Sequence, residues 1–349
     1  MKKLLFHFVA SLLVCGLWCT CALAGQANVF LYHRFGDSRY PSTNIAVATF
    51  AAQLQLLKEQ HYTVLPLGEI VRRLRQDEPL PKHCAALTVD DAFETFWTGA
   101  MPLLRRYGFP VTLFVPTGAI GGGSYLTWKQ LRSLAAQGVE IGNHTVSHPH
   151  LLNRRKGESS NVWENRVRRQ IAVAQARIKK ELGVTPTLFA YPYGEYDPII
   201  EKIVAGLGFA GAVGMQSGVV APGVDLFDLP RFPMEGEEAT LAGFRQKLHM
   251  KSLPVRVVSP KTPVVGADNP PTLVVDIHEA KKLDLRQLRC YVQGQGIASI
   301  KKDPQAPGRF NVRALSPLTG RRNKYTLTAP SRDGRSWYWF SQQWIFPNR

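Results

Sequence analysis

Short apolar runs alternate with amphipathic stretches over the first two thirds of the chain. Runs such as 29–33 and 85–89 have the length and the apolar content of buried strands. The stretch 50–59 repeats its apolar residues at three- and four-residue spacing, which is typical of a helix. Further strands are predicted at 111–115, 139–142, 187–190 and 211–213, and further helices at 67–75, 100–107, 127–137, 163–182 and 198–207. This alternation predicts a parallel sheet, and six or seven repeats in a row favour a barrel.

The pattern changes after Pro254. Residues 255–271 are rich in proline and valine, and short runs of alternating polar and apolar residues follow, such as 273–277 and 324–328. Short strands separated by turn signals predict a β-sandwich-like module. We therefore expect an α/β barrel at 25–253 and an all-β module at 254–349.

The first 24 residues resemble an export signal. Lys2 and Lys3 precede an apolar stretch, and Ala22-Leu-Ala24 forms a small-x-small cleavage site before Gly25. A retained membrane anchor is the main alternative because the stretch is nearly long enough to span a bilayer. A lipoprotein modified at Cys19 or Cys21 is less favoured. We expect an exported protein, periplasmic or secreted, with membrane association kept as an alternative.

Cleavage would leave Cys84 and Cys290 as the cysteines of the mature chain. They fall in different predicted domains, so the sequence does not predict a disulfide framework.

The net charge of +17 is concentrated towards the C-terminus. Residues 254–349 hold 16 Lys and Arg against 6 Asp and Glu, a net of +10. Such a module can attract an anionic envelope polymer or a membrane surface. A solvated basic surface without a specific partner explains the charge equally well. Nucleic acid is not expected as a partner of an exported chain.

Two acidic and two imidazole side chains end predicted strands. Asp90 and Asp91 follow the run 85–89, and His144 and His148 follow the run 139–142. In parallel barrels the chemistry collects at the C-terminal ends of the strands. If the histidine segment forms a helical turn, its four-residue spacing places both imidazoles on one face. Two His and one Asp, with further positions open to water, suit a catalytic hydrolytic metal.

Three motifs resemble those of the polysaccharide deacetylases, carbohydrate esterase family four, also called the NodB-homology domain. They are Thr88-Val-Asp-Asp91, His144-Thr-Val-Ser-His148 and Phe189-Ala-Tyr-Pro-Tyr-Gly194. The resemblance covers roughly residues 28–250 and implies a distorted (β/α)₇ barrel. It also implies hydrolytic removal of acetyl groups from amino sugars of a polysaccharide. The Tyr32-His33 pair is similar to one in the poly-N-acetylglucosamine deacetylase branch.

The resemblance assigns roles to the matching positions. Asp91, His144 and His148 would hold a divalent metal, with Zn²⁺ expected. Asp90 would be the general base, and a backbone N–H near Tyr193 would help to stabilise the oxyanion.

The sequence departs from the family pattern at the residue that orients the base, and its general acid has two candidates. Ala190 stands where many members have an arginine that orients the base. Arg231 either replaces that guanidinium, and we group it with the substrate-binding residues, or is an ordinary surface arginine. His33 is favoured as the general acid over His249, which is expected on a surface helix.

Aromatic side chains near the predicted site are candidates for contacts with sugar rings. We expect Tyr193 and Trp97 to bind substrate. His150 is expected in a loop and could exchange roles with His148. Two other functions stay open at this point: a catalytically impaired glycan-binding relative, and an amidohydrolase of a small C–N substrate on the same fold.

Overall fold

Parallel strands and helices form the first part of the chain, in a computed structural model whose described residues are 25–347. Its strands are β1 (Ala27–Tyr32), β2 (Arg34–Phe35), β3 (Asn44–Ile45), β4 (Thr63–Val64), β5 (Cys84–Val89), β6 (Thr112–Val115), β7 (Glu140–Asn143), β8 (Leu188–Ala190), β9 (Gly211–Val213), β10 (Phe232–Pro233) and β11 (Lys251–Ser252). Its helices are α1 (Val47–Glu59), α2 (Leu67–Arg75), α3 (Met101–Tyr107), α4 (Trp128–Ala136), α5 (Ser160–Leu182), α6 (Pro198–Gly206) and α7 (Leu241–Leu248).

The main sheet has the strand order β10-β1-β5-β6-β7-β8-β9, and every neighbouring pair is parallel. Its two ends approach each other through the segment before β10. Val213 of β9 forms a parallel bridge with Leu229, and the Gly214 N–H donates to the Leu229 carbonyl at 3.0 Å. This near-closure confirms the expected distorted (β/α)₇ barrel.

The barrel elements follow from the apolar pattern. All six residues of β5 are buried, as expected for a strand covered on both faces. In α5, the buried stripe consists of Trp163, Val167, Ile171, Ala174 and Ile178, at the spacing of one helix face. Gly108 and Gly183 end α3 and α5 in the left-handed conformation, with φ of 67° and 73°.

The C-terminal part consists mostly of strands. They are β12 (Val255–Ser259), β13 (Thr272–Ile277), β14 (Arg289–Val292), β15 (Gly296–Ile297), β16 (Ser299–Lys302), β17 (Arg309–Arg313), β18 (Arg322–Pro330) and β19 (Trp337–Ile345). One sheet has the order β12-β13-β17-β16, and the other has the order β11-β19-β18-β14-β15. Val275 and Phe310 of the first sheet share a core with Leu327 and Trp344 of the second. The arrangement is the sandwich-like module that the alternation predicts.

A strand just before the expected boundary at 253 joins a sheet of the C-terminal module. Strand β11, residues 251–252, pairs with β19. One pairing does not divide the chain into domains, so the boundary between 253 and 254 stays a prediction.

Some sequence expectations concern residues outside this description. The export signal at 1–24 lies outside the described residues. Between residues 25 and 347, no helix has both the length and the apolar character needed to cross a membrane. Cys84 and Cys290 are both buried and free.

Candidate metal centre

Asp90 and Asp91 leave β5 in different directions because the chain turns sharply after the strand. The Asp90 N–H still donates to the Tyr32 carbonyl of β1, at 2.9 Å. Asp91 and Ala92 then adopt left-handed conformations, with φ of 71° and 56°. Side chains of neighbouring strand residues point to opposite faces, so only such a turn lets both carboxylates serve one site.

The three expected ligands lie together. Nε2 of His144 and Nε2 of His148 are 3.6 and 3.5 Å from Oδ1 of Asp91. One potential ligand atom from each residue lies within 4.8 Å of the others. A carboxylate and two imidazoles leave room for water or substrate on a divalent ion, so this donor set fits a catalytic metal site.

The two histidines reach the centre from a loop, so the helical turn considered from the sequence is wrong. No helix is assigned between 144 and 150, and Thr145 and His148 have φ of 68° and 50°. The Asn143 side chain accepts from the Thr145 N–H at 2.8 Å, and the Thr145 hydroxyl accepts from the His148 N–H at 3.0 Å. These bonds fix the loop that brings the imidazoles together.

Both imidazoles are prepared for metal binding. Nδ1 of His144 lies 2.8 Å from the Ala190 carbonyl, so this nitrogen carries the proton and Nε2 is left for the metal. Burial and the neighbouring His144 lower the pKa of His148 to about 4, although Asp91 and Asp90 oppose the shift. His148 is therefore neutral at pH 7, as a ligand must be.

Arg231 holds Asp90 inside the barrel. Its two terminal nitrogens donate to the two Asp90 oxygens at 2.8 Å each, and its Nε donates to the Gly214 carbonyl at 2.9 Å. Burial alone would raise the pKa of Asp90, but the charge and hydrogen bonds of Arg231 hold it well below its usual range. Arg231 is fully buried. The surface-arginine alternative is wrong, and this placement favours orientation of Asp90 over contact with substrate.

His33, which follows β1, pairs with Glu235, which follows β10. Nδ1 of His33 lies 2.5 Å from Oε2 of Glu235, although the two atoms are not aligned as a hydrogen bond. Burial would lower the pKa of His33, but the charges of Glu235, Asp91 and Asp90 raise it to about 9. A protonated imidazole therefore lies in the field of the two aspartates.

The turn after β8 carries Tyr193 beside the expected ligands. Tyr193 adopts a φ of 58°, and its ring centre lies 4.5 Å from that of His148. His150 stacks on the other side, with ring centres 3.9 Å apart. His150 thus supports Tyr193 and bonds to Glu195, with 3.0 Å between Nδ1 and Oε2.

The C-terminal module holds this same turn. Arg322 donates to the Tyr193 carbonyl and Gln343 to the Gly194 carbonyl, both at 2.9 Å. Arg321 donates to both oxygens of the fully buried Glu195, at 2.7 and 2.8 Å. Residues about 130 positions away in sequence therefore position the edge of the centre.

Two expected residues lie apart from the centre. Trp97 packs on the barrel core, with the Arg105 guanidinium 5.6 Å from its ring centre. His249 is exposed at the C-terminal end of α7, as expected for a surface helix residue. Within residues 25–347, neither side chain forms a hydrogen bond, ion pair or ring contact with Asp91, His144 or His148.

The sequence analysis missed Glu235, Arg321 and Gln343. Glu235 was recognisable in principle, because a carboxylate shortly after β10 follows the same strand-end rule as Asp90. Arg321 and Gln343 carry no local signal of a role in the barrel.

Comparison with known proteins places this centre in a family context. Residues 77–212 match the family model described as Polysaccharide deacetylase. Poly-β-1,6-N-acetyl-D-glucosamine N-deacetylase of Staphylococcus aureus (strain MRSA252) is 23% identical over 218 residues, covering 60% of this chain and 73% of the relative. The protein of the same name from Escherichia coli (strain K12) is 23% identical over 238 residues, covering 57% of this chain but only 35% of the relative.

A solved structure gives the same fold. The deacetylase PplD of Streptococcus pyogenes, in complex with acetate, superposes with a TM-score of 0.58 at 24% identity. The match covers 64% of this chain and 99% of that chain. At this identity the likeness establishes the fold alone.

Proposed function

We propose that this protein, whose barrel carries a polysaccharide deacetylase domain, removes N-acetyl groups from amino sugars of an extracellular or cell-envelope polysaccharide with the help of a divalent metal. The family supports a hydrolase that acts on carbon–nitrogen bonds other than peptide bonds. One observation carries the proposal: Asp91, His144 and His148 converge at the strand ends where Arg231 holds Asp90.

The roles of the side chains follow from their surroundings. Asp91, His144 and His148 would hold the ion, which we propose is Zn²⁺. When bound, the ion polarises the acetyl carbonyl and lowers the pKa of water. Asp90 is ionised at neutral pH and accepts the proton of the attacking water, while Arg231 fixes the orientation of the carboxylate.

The remaining steps need a donor to the oxyanion and an acid. The backbone N–H of Tyr193, in its fixed turn, donates to the acetyl carbonyl oxygen, which becomes an oxyanion when water adds to the carbonyl carbon. The amine is too basic to leave without a proton as its carbon–nitrogen bond breaks. His33 is protonated at neutral pH, because its pKa is about 9, and delivers that proton.

The substrate class rests on the relatives. The S. aureus and E. coli proteins are named as deacetylases of poly-β-1,6-N-acetyl-D-glucosamine. We therefore propose an N-acetylglucosamine polymer as substrate and export, to the periplasm or beyond, as the location. A small C–N substrate would call for a closed pocket, whereas Tyr193 and Glu235 line a broad open cleft.

We also propose that the C-terminal module attracts an anionic polymer or a membrane surface. Its net charge of +10 supports this role. Binding that weakens steeply with added salt would support it, and salt-independent binding would argue against it.

Acetate release tests the proposed activity. The purified protein is incubated with N-acetylglucosamine oligomers from chitin, peptidoglycan and poly-β-1,6-N-acetylglucosamine, before and after chelation, and after Zn²⁺ is restored. We expect release that chelation abolishes and Zn²⁺ recovers. A protein that binds these oligomers without releasing acetate in any metal state would instead be the glycan-binding relative.

A further inference from the structure

One cleft, of about 1900 Å³, begins beside the candidate metal centre and continues onto the C-terminal module. Tyr193 and Glu235 line it on the barrel side, and Tyr291 and Trp337 line it on the module side. Binding sites commonly occupy such clefts between packed units. The cleft therefore offers a path from the reacting group to a surface outside the barrel.

The module side of the cleft is the outer face of one sheet. Trp337 and Trp339 of β19, Thr326 and Thr328 of β18, and Tyr291 of β14 all line the cleft. On β18 these residues alternate with Tyr325 and Leu327, which are buried in the module core. The period of two separates a core face from a cleft face.

The cleft face presents aromatic rings to solvent. Tyr291 is 47% exposed and Trp337 is 45% exposed, whereas aromatic residues of the opposite face, such as Tyr325, are fully buried. Exposed aromatic side chains beside hydroxyl groups form an amphipathic surface that packs on the C–H faces of sugar rings and bonds to their hydroxyls.

Trp339 fixes this face on the barrel. Its Nε1 donates to the Ser217 carbonyl at 3.1 Å, and its ring contacts Phe232 of β10 edge to face, with centroids 5.7 Å apart. Phe232 lies three residues before Glu235. The position of the sheet relative to the pair of His33 and Glu235 is therefore set by direct packing.

The two exposed rings are too far apart to contact the same sugar residue. In the register of the sheet, Tyr291 is opposite Thr326, and Trp337 is opposite Pro330. This places them roughly 13 Å apart along the strands and about 10 Å apart across them. Two rings at this separation contact different residues of one extended chain.

We propose that the cleft face of β14, β18 and β19 binds the sugar residues that flank the reacting sugar, so that the C-terminal module is part of the glycan-binding site. The inference rests on the proposed deacetylation and adds the length of glycan that the protein recognises. Trp337 and Tyr291 are the principal contacts, and the hydroxyl of Thr326 bonds to a sugar hydroxyl.

Substrate length tests the inference. The kcat/KM for acetate release is measured with the hexamer and the dimer of N-acetylglucosamine, in β-1,6 and β-1,4 linkage. We expect the wild-type protein to prefer the hexamer, and Trp337→Ala or Tyr291→Ala to lower the hexamer-to-dimer ratio about fivefold to tenfold. Leu315→Ala is the matched control, because Leu315 is 76% exposed in the same module and does not line the cleft.

Binding is measured separately from turnover. Tryptophan fluorescence is titrated with the hexamer. We expect the hexamer to change the emission and Trp337→Ala to weaken its affinity by a similar factor. A wild-type protein that does not distinguish hexamer from dimer would overturn the inference. So would unchanged ratios in both variants.

The two proposals fail differently. If no oligomer releases acetate, but the hexamer binds and Trp337→Ala weakens that binding, the proposed deacetylation is wrong and the proposed glycan site stands. If the dimer and hexamer are deacetylated equally well, the activity stands and the glycan site is wrong.

Discussion

The guanidinium of Arg231 lies inside the barrel and holds both carboxylate oxygens of Asp90, each at 2.8 Å. Both side chains are buried, at 0% and 2% exposure. A bidentate pair fixes the plane of the carboxylate, and the positive charge keeps it ionised. In the sequence these residues are 141 positions apart. We infer that Arg231, which directly precedes β10, takes the place of the arginine that the family resemblance would put at position 190.

Removal of this guanidinium should cost both stability and activity. In Arg231→Met, Asp90 keeps a buried charge without its partner, so we expect the free energy of unfolding to fall by about 3–5 kcal/mol. Activity should fall because the base loses its orientation. Chemical denaturation and acetate release measure the two effects.

A double variant separates charge from packing. Asp90→Asn combined with Arg231→Met removes both charges, and such replacement of a buried pair is often nearly neutral. We expect it to recover much of the lost stability but no activity. An Arg231→Met protein as stable as the wild type would contradict the structural role of the pair.

Asp90 and His144 should separate catalysis from metal binding. Asp90→Asn keeps the three ligands, so we expect the metal content to be retained while turnover falls about 10²–10⁴-fold. His144→Ala removes a ligand and should lose both metal and turnover. Metal analysis after dialysis and acetate release distinguish the two variants. Equal loss of metal in both would show that the division of roles is wrong.

The pairing of His33 and Glu235 predicts a dependence on pH. In Glu235→Gln the largest cause that raises the pKa of His33 is gone while burial remains, so this pKa should fall well below its value of about 9. NMR titration of the metal-free protein measures it. The descending limb of kcat/KM should move to lower pH, because His33 loses its proton sooner.

The same pair contributes to stability with a definite sign. The folded pKa of about 9 exceeds the ordinary value of 6.5, so the pair stabilises fully below about pH 6.5. The contribution is lost as the pH rises through about 9. The difference in melting temperature between wild type and Glu235→Gln should therefore be largest at pH 6 and shrink at pH 9.5. A difference that grows with pH would contradict the pairing.

The barrel was predictable because its strands are covered on both faces. Strands such as β5 consist entirely of buried residues, and glycine ends helices such as α5. The local sequence therefore indicates where these strands and helices begin and end. The end of each strand then placed Asp90 and His144 at one mouth. The β12 strand was not predicted, because it lies in the segment 255–271, whose proline content obscured the strand pattern.

Other features could not be inferred because they depend on distant partners. The four-residue spacing of His144 and His148 suits a helical turn, yet side-chain bonds from Asn143 and Thr145 form a loop instead. Trp337 and Trp344 lie on one strand, but the polar residues Ser341 and Gln343 between them break the apolar pattern, and Gln343 lines the cleft. No local feature of the sequence shows that residues of the C-terminal module bond to the turn beside the metal centre.

A substitution of Arg321 tests whether the C-terminal module helps to position the turn that carries Tyr193. In Arg321→Met, the buried Glu195 loses the guanidinium that binds both its oxygens and keeps its bond to His150. Arg322 and Gln343 still hold the turn that carries Tyr193, but its support through Glu195 is lost, so we expect kcat to fall about 10- to 100-fold. Metal content should be retained, because the three ligands are untouched. Arg286→Met is the matched control, since Arg286 is 90% exposed and its pairing with Asp284 contributes little. An Arg321→Met protein with wild-type kcat, or one that loses only metal, would show that the pairing of Arg321 with Glu195 is not needed to position Tyr193.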